Sequence, residues 1–348
     1  MAQPIFIDNG MLSLSELIKR LDPNGNVAPV VSILEENNEL IPDIKWNEGN
    51  LINGDQITIE TSEPDVYWLH ENVGIPSSHS TTAIITETCG KLGACSDVSA
   101  DLLERHNFDA VYRLQEDKAV IRAIGKKATS HFFYGSKATN PEAFDGFTPR
   151  YNKLSGERNS KNVIDCGGRT KDGELTSLWI VGWGDQVGGI YPKDTKAGIQ
   201  QTDEGPVWID DGTCKNTQIK IFRTTYKWNI GLAVKDWRFV VRLANIPLSA
   251  LREGKGIGTG DTREGKNLLM YIIEGLSKLP AEARSQARIY ANNDVLSALN
   301  TIALRSQSNV VKFMETTQEF GKTGAWGSFL GVPLRRVDQL VNTEKEVK

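Results

Sequence analysis

Between residues 47 and 96 the chain carries strands that its own core has no means of absorbing. The stretch "GDQITIETSEPDVYWLHENVGIPSSHSTTAIITETC" holds strand patterns at 56–61 and 66–70 around a Glu63-Pro64 turn. A third pattern, rich in Thr and Ile, covers 81–89. Together they predict a long hairpin-like excursion with a thin apolar face, the kind of edge that proteins keep only where a partner covers it. No Lys or Arg falls between Lys45 and Lys91. Such a one-signed surface suits a basic partner face.

The rest of the chain bounds what that partner can be. Its 348 residues suffice for one large domain or two modest ones. With 40 basic and 44 acidic residues spread along the chain, net charge is -4. No basic arm exists to drive nucleic-acid binding by counterion release. No run nears the ~20 apolar residues of a membrane span; the longest is "LLMYII" at 268–273. The opening "MAQPIFIDNG" lacks the basic and apolar regions of a signal peptide, so synthesis in the cytoplasm is expected.

The first 46 residues read as an arm laid against something else. A brief helix starts at Ser13 with Glu16 as its capping-box partner and stops at Pro23 and Gly25. "APVVSILEENNEL" is a second short amphipathic piece, ending before Pro42. The strongest helical signal follows the hairpin, at 108–132. There Val111, Leu114, Ile121, Ile124, Ala128 and Phe132 recur at threes, fours and sevens, and the pattern stops at Gly135. At ~1.5 Å per residue this is a spine of roughly 35–40 Å. Asp117 and Lys118 break the seam that a coiled coil would need.

A mixed body comes next. "ELTSLWIVGWG" (174–184) is a continuous apolar strand of buried type, and 217–246 makes two or three more. Helices are expected at 262–278 and 294–305 with the short strand "ARIYA" between them. "GSFLGVPLRRVDQL" (327–340) gives a Gly-Val-Pro turn and one more strand, and "NTEKEVK" reads as a frayed end. The fold class is α+β.

Tests for chemistry fail one by one. "GDTREGKN" (260–267) is one residue short of a phosphate-binding loop. Gly260, Gly265 and Lys266 are in place, but Asn267 replaces the Mg²⁺-ligating hydroxyl, and Asp261 and Glu264 would repel phosphate. His70, His79, His106 and His131 form no metal-ligand pair. Asp210 and Asp211 would point to opposite faces of a strand. Cys89, Cys95, Cys166 and Cys214 have no C-x-x-C spacing and read as free thiols, with a Cys89–Cys95 bridge open but not required. Cys166, in "DCGG", has no histidine near it in sequence. Trp179, Trp183, Trp228 and Trp237 are accounted for by packing. No catalytic, cofactor-binding or metal residue is singled out, and no cofactor is implied.

The order of these blocks resembles the major capsid proteins of tailed bacteriophages, the Hong Kong 97-type fold, and in particular the short-tailed phage lineage. "SLSELIKRLDPNGNVAPVVSILEENNELIPDIKW" is similar to the family's N-terminal arm. "LWIVGWG…GIYPKDTKAGIQ" with "YKWNIGLAVKDWRFVVRLANI" is similar to its central domain, and "GSFLGVPLRRVDQ" to its closing strand. The resemblance covers about residues 11–340. It implies an N-terminal arm at 1–46, an extended β-hairpin loop at 47–95 and a peripheral domain with the long spine helix at 96–139. A mixed α/β axial domain at 140–325 follows, then a return strand to the peripheral domain at 326–340 and a tail at 341–348.

The function implied is structural, not enzymatic. Copies of the chain would self-assemble as pentamers and hexamers into an icosahedral capsid around double-stranded DNA, touched only non-specifically. A separate scaffolding protein, a portal protein and possibly a cementing protein would be partners, with no membrane. The protein would be made in the host bacterial cytoplasm and reside in the virion. With no lysine between 46 and 90, the covalent cross-link that some relatives make through this loop is closed. A shell protein of a cellular nanocompartment is the alternative, and an α/β enzyme with an unrecognised site a more distant one.

Overall fold

The computed structural model describes residues 39–106, 109–169, 174–210, 218–252, 268–305, 311–312 and 327–348. The arm's residues 1–38, the loop containing "GDTREGKN", Cys214 and Asp211 lie outside the described residues. The strands are β1 (Trp46–Glu48), β2 (Gly54–Ser62), β3 (Thr81–Ser99), β4 (Val163–Asp165), β5 (Leu175–Gly182), β6 (Val187–Tyr191) and β7 (Gln200–Asp210). They continue with β8 (Gln218–Val234), β9 (Val240–Pro247), β10 (Ala287–Ala291), β11 (Val311–Lys312), β12 (Ser328–Phe329) and β13 (Val332–Arg336). The helices are α1 (Leu40–Asp43), α2 (Ala100–His106), α3 (Asp109–Tyr134), α4 (Phe147–Arg150), α5 (Leu248–Arg252), α6 (Leu268–Lys278), α7 (Ala281–Arg284) and α8 (Asn293–Arg305). This is the mixed α and β content expected.

The chain divides into two compact units. The first takes Lys91–Ala128 and Gly198–Asn229, and so holds the far part of β3, most of the spine helix α3, and β7 with most of β8. β7 and β8 pair antiparallel from Gln200↔Lys227 to Asp210↔Gln218, with an irregularity between Asp203 and Gly205. Gly205 sits at φ +70°, open to a residue without Cβ, and Pro206 follows it. Among the described residues β7 pairs only with β8, and a bulge plus a proline is how a free edge resists further pairing. Two arginines fasten this unit. Arg223 forks onto Asp97 at 2.8 and 2.7 Å. Arg113 reaches Asp203 at 2.9 Å and Thr224 at 3.3 Å and lies over the Phe222 ring at 5.3 Å.

The second unit, Asn37–Gly90, Thr129–Ala197 and Ile230–Lys348, is built on a seven-stranded sheet in the order β11-β12-β13-β10-β5-β9-β4. Every residue of β5 and β9 is buried, which is why their sequences show no polar alternation, and their few polar residues, Thr176, Ser177, Arg242 and Asn245, are buried with the rest. α6 packs on β9 through its apolar stripe. Beside the sheet, Phe133, Phe147, Trp179, Trp183 and Tyr290 make one aromatic cluster with centroids 5.7–6.4 Å apart. Trp183 donates its indole N–H to the Tyr290 hydroxyl at 2.6 Å. Trp179 and Trp183 are thus core, as packing required.

Two expectations change. The 66–70 pattern forms no strand: β2 pairs directly with β3, from Gly54↔Thr88 to Ser62↔Thr81, and 63–80 is the connecting loop. Pro64 and Pro76 within it remove ladder donors. The closing strand β13 forms as expected and pairs in parallel with β10 in the seven-stranded sheet. The last residues do not fray. The Glu344 amide donates to the Leu175 carbonyl at 3.0 Å, and the Leu154 amide to the Lys348 carbonyl at 3.1 Å. Asn245 holds Val347 through both backbone groups, at 2.8 and 3.0 Å. Composition suggested a loose end because the groove that orders it is formed by strands more than a hundred residues away.

Candidate assembly surfaces

The hairpin of β2 and β3 is fixed at its root and unburied at its far end. At the root Glu87, on β3, is 4% exposed. Arg150, closing α4, grips its carboxylate with a fork of 2.5 and 2.7 Å. The same guanidinium donates to the carbonyls of Asp145 at 3.1 Å and Gly146 at 3.2 Å. Burial works against the Arg150 charge, but the Glu87 hydrogen bond and charge outweigh it and raise its pKa. Asn50 clasps the start of β2, its side-chain oxygen accepting from the Gln56 amide at 2.7 Å.

Beyond the root, every residue from 62 to 80 is exposed. Val66 is 93% exposed, Trp68 103% and Ile75 80%. Ile84 and Ile85 on the adjoining strand, and Ile52 before β2, are also exposed. The loop has some internal order, with Ser78 donating to the Asp65 carbonyl at 2.9 Å and Thr61 and Ser62 bonded to Thr81. Exposed large apolar side chains concentrated on one loop make it a candidate interaction surface. Fully covering each of Val66, Trp68 and Ile75 is worth about 1.5–3 kcal/mol.

A cleft of about 600 Å³ runs along β2, between its residues 57–63 and the segments around Arg158–Lys161 and Lys235–Arg238. Arg158 donates to the Thr61 carbonyl at 2.8 Å. Lys235 stands 4.0 Å from Asp55, and Arg238 forks onto Asp236 at 2.7–3.0 Å. Sequence reading missed this cluster because its cations come from two loops some 75 positions apart, and no local pattern joins them.

The residues tested for chemistry are scattered. His70 and His79 are in the exposed loop, while His131 bonds the Phe144 carbonyl at 2.8 Å and meets its ring edge-on. Among the described residues no group of three or more His, Cys, Asp or Glu could hold a metal ion. Trp228 is buried, and Asp210 ends β7.

Cys89, Cys95 and Cys166 are free thiols, and no bridge joins the first two. Burial, helped by the Asp55 charge, pushes the Cys89 thiol up to about 12, and burial pushes Cys166 up as well. At pH 8 iodoacetamide is therefore expected to alkylate exposed Cys95 and to spare Cys89 and Cys166 until the protein is unfolded. Peptide mass spectrometry reads this directly; rapid native labelling of Cys89 would contradict the packing described.

Comparison with known proteins gives the frame for these surfaces. The family model for Major capsid protein GP7 matches residues 22–348. A search of curated proteins gives no match. Among solved structures, a chain of bacteriophage Epsilon15 superimposes with TM-score 0.71 at 24% identity, covering 99% of each chain. The bacteriophage JBD30 capsid gives TM-score 0.47 at 10% identity, over 89% of this chain and 93% of that one. The SrpI encapsulin of Synechococcus elongatus PCC 7942 gives 0.37 at 9% identity, over 68% and 97%. The last two likenesses are too loose to argue from. With nearly its whole length matched, the chain belongs to the major capsid protein GP7 family and has the Hong Kong 97-like capsid fold.

Proposed function

We propose that copies of this chain close, as pentamers and hexamers, into an icosahedral shell around double-stranded phage DNA. As a tailed-phage capsid protein it is a structural, non-catalytic component of the virion shell. The observation that carries the finer reading is the hairpin: a root held by a buried Arg–Glu fork and a far end with bare Val66, Trp68 and Ile75. Such an arm is built to lie on a neighbouring copy. A heterologous contact of that kind, repeated round a closed ring, gives cyclic capsomeres, and rings in turn close into shells by point symmetry.

In this reading 47–95 is the extended loop, the segment around the spine helix the peripheral domain, and the body on the seven-stranded sheet the axial domain. The N-terminal arm at 1–46 supplies further inter-subunit contact. A net charge of -4 leaves the DNA only weakly held, so that it slides during packaging. Synthesis in the bacterial cytoplasm, with a separate scaffolding protein, a portal protein and, where the shell is reinforced, a cementing protein, completes the proposal.

Negative-stain microscopy and sedimentation of the chain, expressed alone and with its neighbouring genes, test it. Closed shells or capsomere-sized rings are expected. A monomer in every sample, even at high concentration, would overturn it.

A further inference from the structure

We propose that the cleft along β2 in one copy receives the acidic, aromatic far end of the hairpin from a second copy. The inference rests on the assembly reading above and names the acceptor that reading leaves open.

The far end has a definite chemistry. Around Val66, Trp68 and Ile75 stand the carboxylates of Asp65 and Glu71, and no Lys or Arg lies anywhere between Lys45 and Lys91. Its seat must offer apolar surface ringed by cations. The cleft does so. Its lining combines Ile57, Ile59 and half-buried Trp237 with Arg158, Lys161, Lys235 and Arg238. Against these four cations the lining sets three carboxylates, of which Asp236 is already taken by Arg238. Glu60 and Glu63 belong to β2 and its end, on the opposite wall. The 600 Å³ volume falls within the roughly 300–1,000 Å³ of clefts that enclose a ligand group.

Among the described residues, this chain's own far end does not fill the seat. No residue of 64–80 lines the cleft, and Trp68 stays fully in water. Among the described residues each copy therefore offers an uncovered donor and an acceptor that this donor does not occupy. That is the requirement for a head-to-tail ring.

Carbodiimide cross-linking of shells mixed from isotopically heavy and light chains tests the contact. The expected products are amide links from Asp65 or Glu71 to Lys161 or Lys235 that join a heavy peptide to a light one. Links confined to single chains, or none at these lysines in intact shells, would overturn the proposal and leave the assembly reading standing. Failure of the chain to form shells at all would remove both.

A charge exchange gives an independent readout. Arg158→Glu with Lys161→Glu, or Asp65→Lys with Glu71→Lys, should each raise the concentration needed for assembly about tenfold. The combined variant should recover most of that loss. If it assembles no better than its parents while all three keep the wild-type near-ultraviolet circular dichroism, the pairing is wrong.

Discussion

Glu344→Ala is expected to cost the soluble subunit about 3–5 kcal/mol, because it strands a buried guanidinium. Arg242 on β9 is 2% exposed and stacked 5.0 Å from the Trp179 ring. It donates to Glu344 at 2.8 Å, to the Ser177 hydroxyl at 3.1 Å and to the Tyr151 carbonyl at 2.8 Å. Glu344 accepts in addition from Ser177 and, at 2.5 Å, from the Tyr134 hydroxyl. Burial and the adjacent Glu344 charge push the Tyr134 phenol well above its ordinary range, so it remains a proton donor. One carboxylate thus ties the spine helix, two central strands and the end of the chain to a single point. Urea unfolding of the dissociated subunit measures the loss. Replacing both partners by apolar residues, Arg242→Met with Glu344→Leu, should return much of it, since no charge is then left unpaired. A Glu344→Ala subunit as stable as wild type would show that the tail is not bound as described.

The second large effect concerns assembly alone. Cutting out residues 63–80 and joining Ser62 to Thr81 through Asn-Gly uses a strand pair already in register. The excised residues are all exposed, so the subunit should unfold at nearly its original urea concentration. Shells should require more than about a hundredfold higher protein concentration, because three apolar anchors worth about 1.5–3 kcal/mol each are gone. Light scattering against concentration reads the threshold. An unchanged threshold would mean that the arm carries no inter-subunit energy.

These two predictions draw on features of unequal visibility in the sequence. The spine helix was legible because Ile124, Ala128 and Phe132 keep one face buried, although Ile121 of the same pattern is exposed. The 174–184 strand was legible because burial on both faces leaves no polar alternation to misread. The hairpin could be read from its Thr-Ile strands and its missing cations, but not the loop at its end. There "VYWLH" has strand composition, and only the direct pairing of β2 with β3 denies it a ladder. "NTEKEVK" misled for the opposite reason. Its Glu344 meets Arg242 and Tyr134, the backbone of its Val347 meets Asn245, and a pairing across 102 positions has no local signature. The grip of Arg150 on Glu87, 63 residues apart, is hidden in the same way. Sequence thus exposes elements whose reason is local periodicity, and conceals those whose reason is a distant charge.

The central claim is that the bare hairpin of each copy is buried by a neighbour in a closed shell. A cryo-electron microscopy reconstruction of particles assembled from the unmodified chain tests it most directly. The account predicts rings of five and six copies in which density for Trp68 lies against another subunit. Closed particles in which that loop projects into solvent, or folds onto its own body, would contradict it.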